Sequence, residues 1–87
     1  MEFEWDEAKR ASNLAKHGLD FTDAAKLDWS MATILPDRRF DYGEDRYRAF
    51  LAKGGVLCSI AFARRAGAFR IVSFRPANRM ERRLYGK

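Results

Sequence analysis

Between Glu44 and Phe74 the chain reads as three strands joined by two turns too short to hold anything else. Glu44 to Ala52 alternates, with Tyr47, Ala49 and Leu51 on one side. Lys53-Gly54-Gly55 is a hairpin turn and leads into the apolar run Val56 to Ala63. Arg65-Ala66-Gly67-Ala68 turns the chain again, into Phe69 to Phe74. Strands joined by such short turns pair antiparallel. Simple alternation predicts Arg70, Val72 and Phe74 on one face of the last strand and Phe69, Ile71 and Ser73 on the other. Pro76 stops that strand, because proline has no N–H for the ladder. An antiparallel sheet of roughly four to five strands is expected, with Val56–Ala63 at its centre.

The flanks supply helices. Glu2 to Trp5 alternates acid and aromatic and reads as a short strand. Asp6 is an N-cap for a helix from Glu7 to His17, whose apolar stripe is Ala8, Ala11, Leu14 and Ala15. Lys16 and His17 suit the negative end of that helix, and Gly18 suits a left-handed cap. A shorter helix is expected at about Thr22 to Asp28, with Phe21 and Trp29 packed at its ends. Met31 to Leu35 is a strand that Pro36 ends, and Pro36 to Gly43 is an exposed loop. Ala77 to Tyr85 closes the chain as a helix, with Ala77, Met80 and Leu84 inward. The order β-α-α-β-β-β-β-α makes an α+β fold, one domain over residues 1–87, with helices packed on the sheet. The expected core includes Ala8, Leu14, Ile60, Phe62, Ile71 and Leu84.

At 47% hydrophobic and 14% aromatic residues, the chain has enough apolar material for a core. Cys58 is the only cysteine, so no internal disulfide holds so small a domain, and a reducing, cytoplasmic setting is expected. No apolar run is long enough to span a membrane, and the opening residues lack the pattern of a signal peptide.

Charge is placed unevenly. Arg64 to Lys87 carries eight bases and one acid, Glu81, while the first sixty-three residues hold nine bases and eleven acids. Seven of the eight C-terminal bases are arginines, whose planar guanidinium grips phosphate at two points. Such a split points to a polyanion partner, most simply a nucleic acid.

Motifs for other chemistries are missing. One His and one Cys cannot make the usual zinc set. Asp37, Asp41, Glu44 and Asp45 crowd one loop and read as a solvated face. No metal and no cofactor is expected. The arginines at strand ends remain: Arg64 at the end of one central strand, Arg75 at the end of its hairpin partner, and Arg70 closer to Arg64. Each has a plain alternative as a solubilising charge at a sheet end. Glu81 and Tyr85 share a helix face. Glu81 is either a general base or a salt-bridge partner, and Tyr85 either stacks, orients a proton or packs half-buried. His17 is either a catalytic group titrating near neutrality or a complement to the helix dipole.

The residues in order resemble one family. Phe3-Glu4-Trp5-Asp6, Asn13-Leu14-Ala15-Lys16-His17-Gly18, and Phe21 with Ala24 are similar to the BrnT family of bacterial toxins. So are Gly43-Glu44 with Arg46, Arg70-Ile71-Val72-Ser73-Phe74-Arg75, and Ala77 with Arg79, Glu81, Arg82 and Tyr85. The chain departs from the family pattern at Phe74-Arg75-Pro76, where the family more often has a small residue and no proline. The resemblance implies a RelE-like fold and a type II toxin–antitoxin toxin, a ribonuclease that stops translation. It implies a BrnA-like ribbon-helix-helix antitoxin as partner, with operator DNA reached only through that antitoxin. By position and chemistry, it implies that Arg64, Arg75 and Tyr85 take the catalytic places of the RelE-like class.

The function expected is a metal-independent ribonuclease in which a ribose 2′-hydroxyl attacks the adjacent phosphorus. Arginines would stabilise the charge that develops on the phosphoryl oxygens. His17, Glu81 and Tyr85 are the proton-transfer candidates. Lys16, Arg46, Arg70, Arg79 and Arg82 are the candidate RNA contacts. The alternatives are a non-catalytic nucleic-acid-binding module and a protein-interaction domain.

Overall fold

The computed structural model describes residues 2–86, so Lys87 of the basic end lies outside the described residues. Its elements are β1 (Glu2–Glu4), α1 (Glu7–His17), α2 (Phe21–Ala24), a 3-10 turn (Trp29–Met31), β2 (Thr33–Pro36), β3 (Arg46–Lys53), β4 (Val56–Arg65), β5 (Ala68–Pro76) and α3 (Arg79–Tyr85). The strands form one five-stranded sheet in the order β1-β5-β4-β3-β2, so β4 is central as expected. All pairings are antiparallel except one, the parallel pairing of β1 with β5. The α1–α2 segment lies between those two strands in the chain and leaves ample length for a crossover.

One face of the sheet carries the core. Ala49 and Leu51 of β3, Cys58, Ile60 and Phe62 of β4, and Ile71 and Phe74 of β5 pack against Phe21 and Ala24 of α2. Burial pushes the Cys58 thiol above its ordinary pKa. Simple alternation fails in β5. Ala61 pairs with Ser73 but Phe62 pairs with Ile71, so Val72 is an extra residue, a β-bulge. The bulge places Ile71 and Phe74 on the same, buried face, where the sequence pattern had separated them.

α1 corrects a second expectation. Asp6 caps it through Ala8 N–H and Lys9 N–H, and Gly18 closes it at a φ of 70°, as its sequence predicts. Yet its inward residues are Arg10, Asn13 and His17, while Ala8, Ala11, Leu14 and Ala15 are exposed. The reason is the free edge of β5. β1 ends opposite Arg70, leaving Phe74 without a strand neighbour on that side. The Phe74 N–H donates to Asn13 Oδ1 (3.1 Å) and the Asn13 amide donates to Phe74 O (2.8 Å). A side-chain amide can match both groups of a strand edge and an alanine or leucine cannot.

α2 is also shorter than expected. Asp28 accepts from Ser30 N–H and starts a fresh 3-10 turn, while the Trp29 indole N–H takes Ala24 O (2.9 Å). Met80 and Leu84 of α3 stay exposed, at 66% and 63%, so Leu84 is not core. Ala77, which precedes α3, is buried. α3 lies instead across the second face of the sheet, where the Tyr85 ring stacks on Phe50 at 4.2 Å. Asn78 and Glu81 form a capping box at its start.

Candidate active site

The second face of the sheet is built in three cross-strand rows. Arg46, Ala63 and Arg70 form one; Arg48, Ala61 and Ser73 the next; Phe50, Ser59 and Arg75 the third. Directly paired residues share a face, so all nine point the same way. The middle strand contributes only Ser59, Ala61 and Ala63, all small and buried, while arginines rise on both sides. The outcome is a basic trough with a floor of short side chains. α3 covers one end of it.

Two guanidinium groups converge at that end. Arg48 Nη1 donates to Ser59 Oγ at 2.6 Å, and Ser59 is the direct cross-strand partner of Arg75. Arg75 makes a two-pronged pair with Glu81, at 2.8 and 3.0 Å. Burial, and then the positive charge of Arg75 and Arg39, pulls Arg48 below the ordinary arginine pKa. The Arg75 hydrogen bonds hold the Glu81 carboxyl below its ordinary value. Both Glu81 oxygens already accept from Arg75, and one also accepts from Asn78 N–H. Two positive groups held side by side, one only partly offset, make a site prepared for an added anion.

The acid-rich loop before β3 braces this arrangement. Asp37, only 6% exposed in its side chain, accepts two hydrogen bonds from the Arg39 guanidinium and one from the Arg39 N–H, and lies 4.0 Å from Arg48. Glu44 pairs with Arg46 (3.1 Å) and Arg65 (2.7 Å). Asp41 accepts from Gly43 N–H to close a local turn. The loop is therefore not simply a solvated face: Asp37 and Glu44 anchor it. Among the described residues, no group of three His, Cys, Asp or Glu side chains converges to hold a metal ion.

The candidates from the sequence are distributed unequally over this site. Arg75 and Glu81 meet directly, and Tyr85 lines a groove with Arg48, Phe50 and Glu81. Arg70 is on the same face, paired with Glu4 at 3.0 Å. Arg46 lies there too, its guanidinium 4.3 Å from the centre of the Tyr42 ring. His17 stands at the edge of β5, close enough to Arg75 for that charge to act on it. Burial, followed by Lys16 and Arg75, holds His17 below its ordinary pKa. Arg79 and Arg82 are exposed on α3, with Arg82 donating to Ala77 O at 2.8 Å.

Arg64 is not brought to Arg75. It shares the parity of Phe62 and leans over the Phe69 ring at 5.8 Å, on the core side of the sheet. Strand parity separates the two arginines, whereas the family resemblance implied a shared catalytic role. Arg48 is the residue the sequence reading missed. The alternation that turns Tyr47, Ala49 and Leu51 inward already puts Arg48 on the opposite face, but Arg48 lies outside the C-terminal segment that holds the excess of positive charge.

The match that decides the family covers residues 5–81, against the model of the ribonuclease toxin BrnT of type II toxin–antitoxin systems. The chain belongs to the BrnT family. It is similar to the crystal structure, at 1.1 Å resolution, of the Brucella abortus ribonuclease toxin BrnT, with 32% identity and a TM-score of 0.72. That alignment covers 91% of this chain and 99% of that one. No curated protein sequence matches the chain. The BrnT relationship agrees with the α+β fold and the element order expected from the sequence. Membership makes this chain a ribonuclease toxin with an antitoxin partner. Among its described residues, no helix is long and apolar enough to cross a membrane.

Proposed function

We propose that this BrnT-family toxin cuts RNA in the basic trough without a metal ion, with Arg48 and Arg75 holding the scissile phosphate. The observation that carries this reading is the Arg48 guanidinium seated on Ser59, the cross-strand partner of Arg75, on a face the core does not use. The ribose 2′-oxygen attacks phosphorus, the bond to the 5′-oxygen breaks, and a cyclic phosphate and a 5′-hydroxyl result. Negative charge grows on the phosphoryl oxygens, and the arginines are already in place to meet it. A phosphate entering the trough competes with Glu81 for Arg75.

His17 is the proton acceptor in this scheme. Its depressed pKa leaves it uncharged at neutral pH, as a base must be. Glu81 is less suited, because Arg75 has lowered its affinity for a proton. Tyr85 lies at the Arg48 end and returns a proton to the 5′-oxygen. RNA loss stops translation in the cytoplasm. A BrnA-like ribbon-helix-helix antitoxin neutralises the toxin by covering the arginine face, and operator DNA is bound only through that antitoxin.

The test is cleavage of single-stranded RNA by purified protein in the presence of a chelator. Arg48→Ala and Arg75→Ala should each slow cleavage by about 10²–10³-fold, the usual effect of losing one such donor. Arg64→Ala, on the opposite face, should cleave at close to the normal rate. His17→Gln should bind RNA normally and cut slowly. RNA binding without cleavage would favour a non-catalytic module. Full cleavage by the Arg48→Ala, Arg75→Ala double variant would end this mechanism.

A further inference from the structure

The trough does not stop at β5. Ser73 closes the row that begins at Arg48, and it also lines a separate groove of about 290 Å³ between α1 and the β5 edge. Lys9, Ser12, Lys16 and His17 form the helical wall of that groove. Lys9, Ser12 and Lys16 fall on one helix face, because they stand three and four residues apart. The two lysines are about 10 Å apart along the axis, from the rise of an α-helix. No acid lines the groove. Neither lysine has an ion-pair partner among the described residues, whereas the neighbouring Arg10 is held by Glu7 and Asp20.

The inward turn of Asn13 makes this possible. Tying Asn13 to Phe74 fixes α1 against β5 and sets the rotation of the helix. With that rotation fixed, Lys9 and Lys16 flank the β5 edge beside Ser73. The bulge at Val72 keeps Ser73 on the trough face together with Arg75. One polar path therefore runs from Arg48 across the sheet to the basic side of α1.

We propose that the α1–β5 groove is a subsite for the RNA backbone flanking the cut, with Lys9 and Lys16 contacting its phosphates and the Ser12 and Ser73 hydroxyls beside them. The proposal rests on the ribonuclease reading for its ligand, but its test is made separable from that reading. The probe is a short single-stranded RNA with 2′-O-methyl groups, which binds and cannot be cut by 2′-oxygen attack. Binding is measured by fluorescence anisotropy over a range of salt concentrations. Lys9→Gln, Lys16→Gln should bind about tenfold more weakly at low salt. Its log–log salt slope should be shallower by about 1.4, the value for two lost contacts on single-stranded nucleic acid. The charge-matched control is Lys26→Gln, Lys53→Gln, which removes two lysines outside the groove and should change binding by less than about twofold. Equal losses in both double variants would mean a general charge effect and overturn the subsite. An unchanged slope in Lys9→Gln, Lys16→Gln would overturn it too. If unmodified RNA is never cut yet the slope falls as stated, the subsite stands and the cleavage mechanism fails.

Discussion

Asn13 does for the β5 edge what a neighbouring strand would do. Its amide satisfies the Phe74 N–H and C=O and donates as well to Leu19 O at 3.1 Å. Removing it leaves buried backbone groups without partners, and each such group costs roughly 1–3 kcal/mol. Asn13→Ala should therefore lower stability by about 2–3 kcal/mol, seen as a lower urea midpoint. A loss below about 0.5 kcal/mol, the usual size for a surface change, would mean that water replaces the amide. Arg75 is also more than a ligand-facing charge. Its pair with Glu81 joins β5 to α3, with the two side chains only 27% and 15% exposed. A strand-end arginine looks dispensable for folding in the sequence, but this one is a tether.

At the scale of elements, α3 is the segment with least support. It has seven residues, too few for a helix to persist alone in water. The Tyr85–Phe50 stack, the Arg75–Glu81 pair, the capping box and the Arg82–Ala77 bond hold it on the sheet. Tyr85→Ala removes the aromatic contact and should cost about 1 kcal/mol globally. The larger effect should be local: amides of residues 79–85 should lose most of their protection from hydrogen exchange while those of β4 keep theirs. Unchanged protection in α3 would show that the ion pair suffices. The bulge in β5 is the other decisive element. By re-phasing the strand it turns both Ile71 and Phe74 into the core and both Ser73 and Arg75 into the trough.

For the molecule as a whole, acid should act in two stages. His17 has a lowered pKa, so the unfolded chain takes up its proton first as pH falls through 6.5. Stability is full above that value, declines below it and levels off once the native imidazole also protonates. Glu81, Glu44 and Asp37 are held low by hydrogen bonds from Arg75, Arg65 and Arg39 respectively. Their contribution is full above the ordinary carboxyl values of 4.5 for Glu and 3.8 for Asp, and is lost as pH falls through the lowered native values. Urea midpoints measured against pH should show a small step beginning near 6.5 and a steeper one below about 4.5. His17→Gln should erase the first and spare the second. A midpoint flat from neutrality to pH 5 in the parent protein would contradict the burial assigned to His17.

Local chemistry determined much of this protein without help from the fold. The hairpin turns at Gly54-Gly55 and Gly67, the Asp6 cap and the Gly18 cap act over a few residues, so sequence alone placed β3, β4, β5 and α1. The same spacing placed β4 at the centre of the sheet and made Ile60, Phe62 and Ile71 core. Side-chain direction was decided elsewhere. The apolar stripe of α1 faces outward because a backbone edge some sixty residues away needed an amide more than the core needed Leu14. The exposure of Leu84 follows from the position of α3 on the open sheet face, which depends on Phe50 and Arg75 being there to receive it. The site was legible as arginine chemistry and as a family, but not as a set of partners. Arg64 and Arg75 look equivalent along the chain, and only pairing parity puts one on the core side and the other beside Arg48. Parity is a property of neighbouring strands taken together, and one extra residue, Val72, was enough to change it.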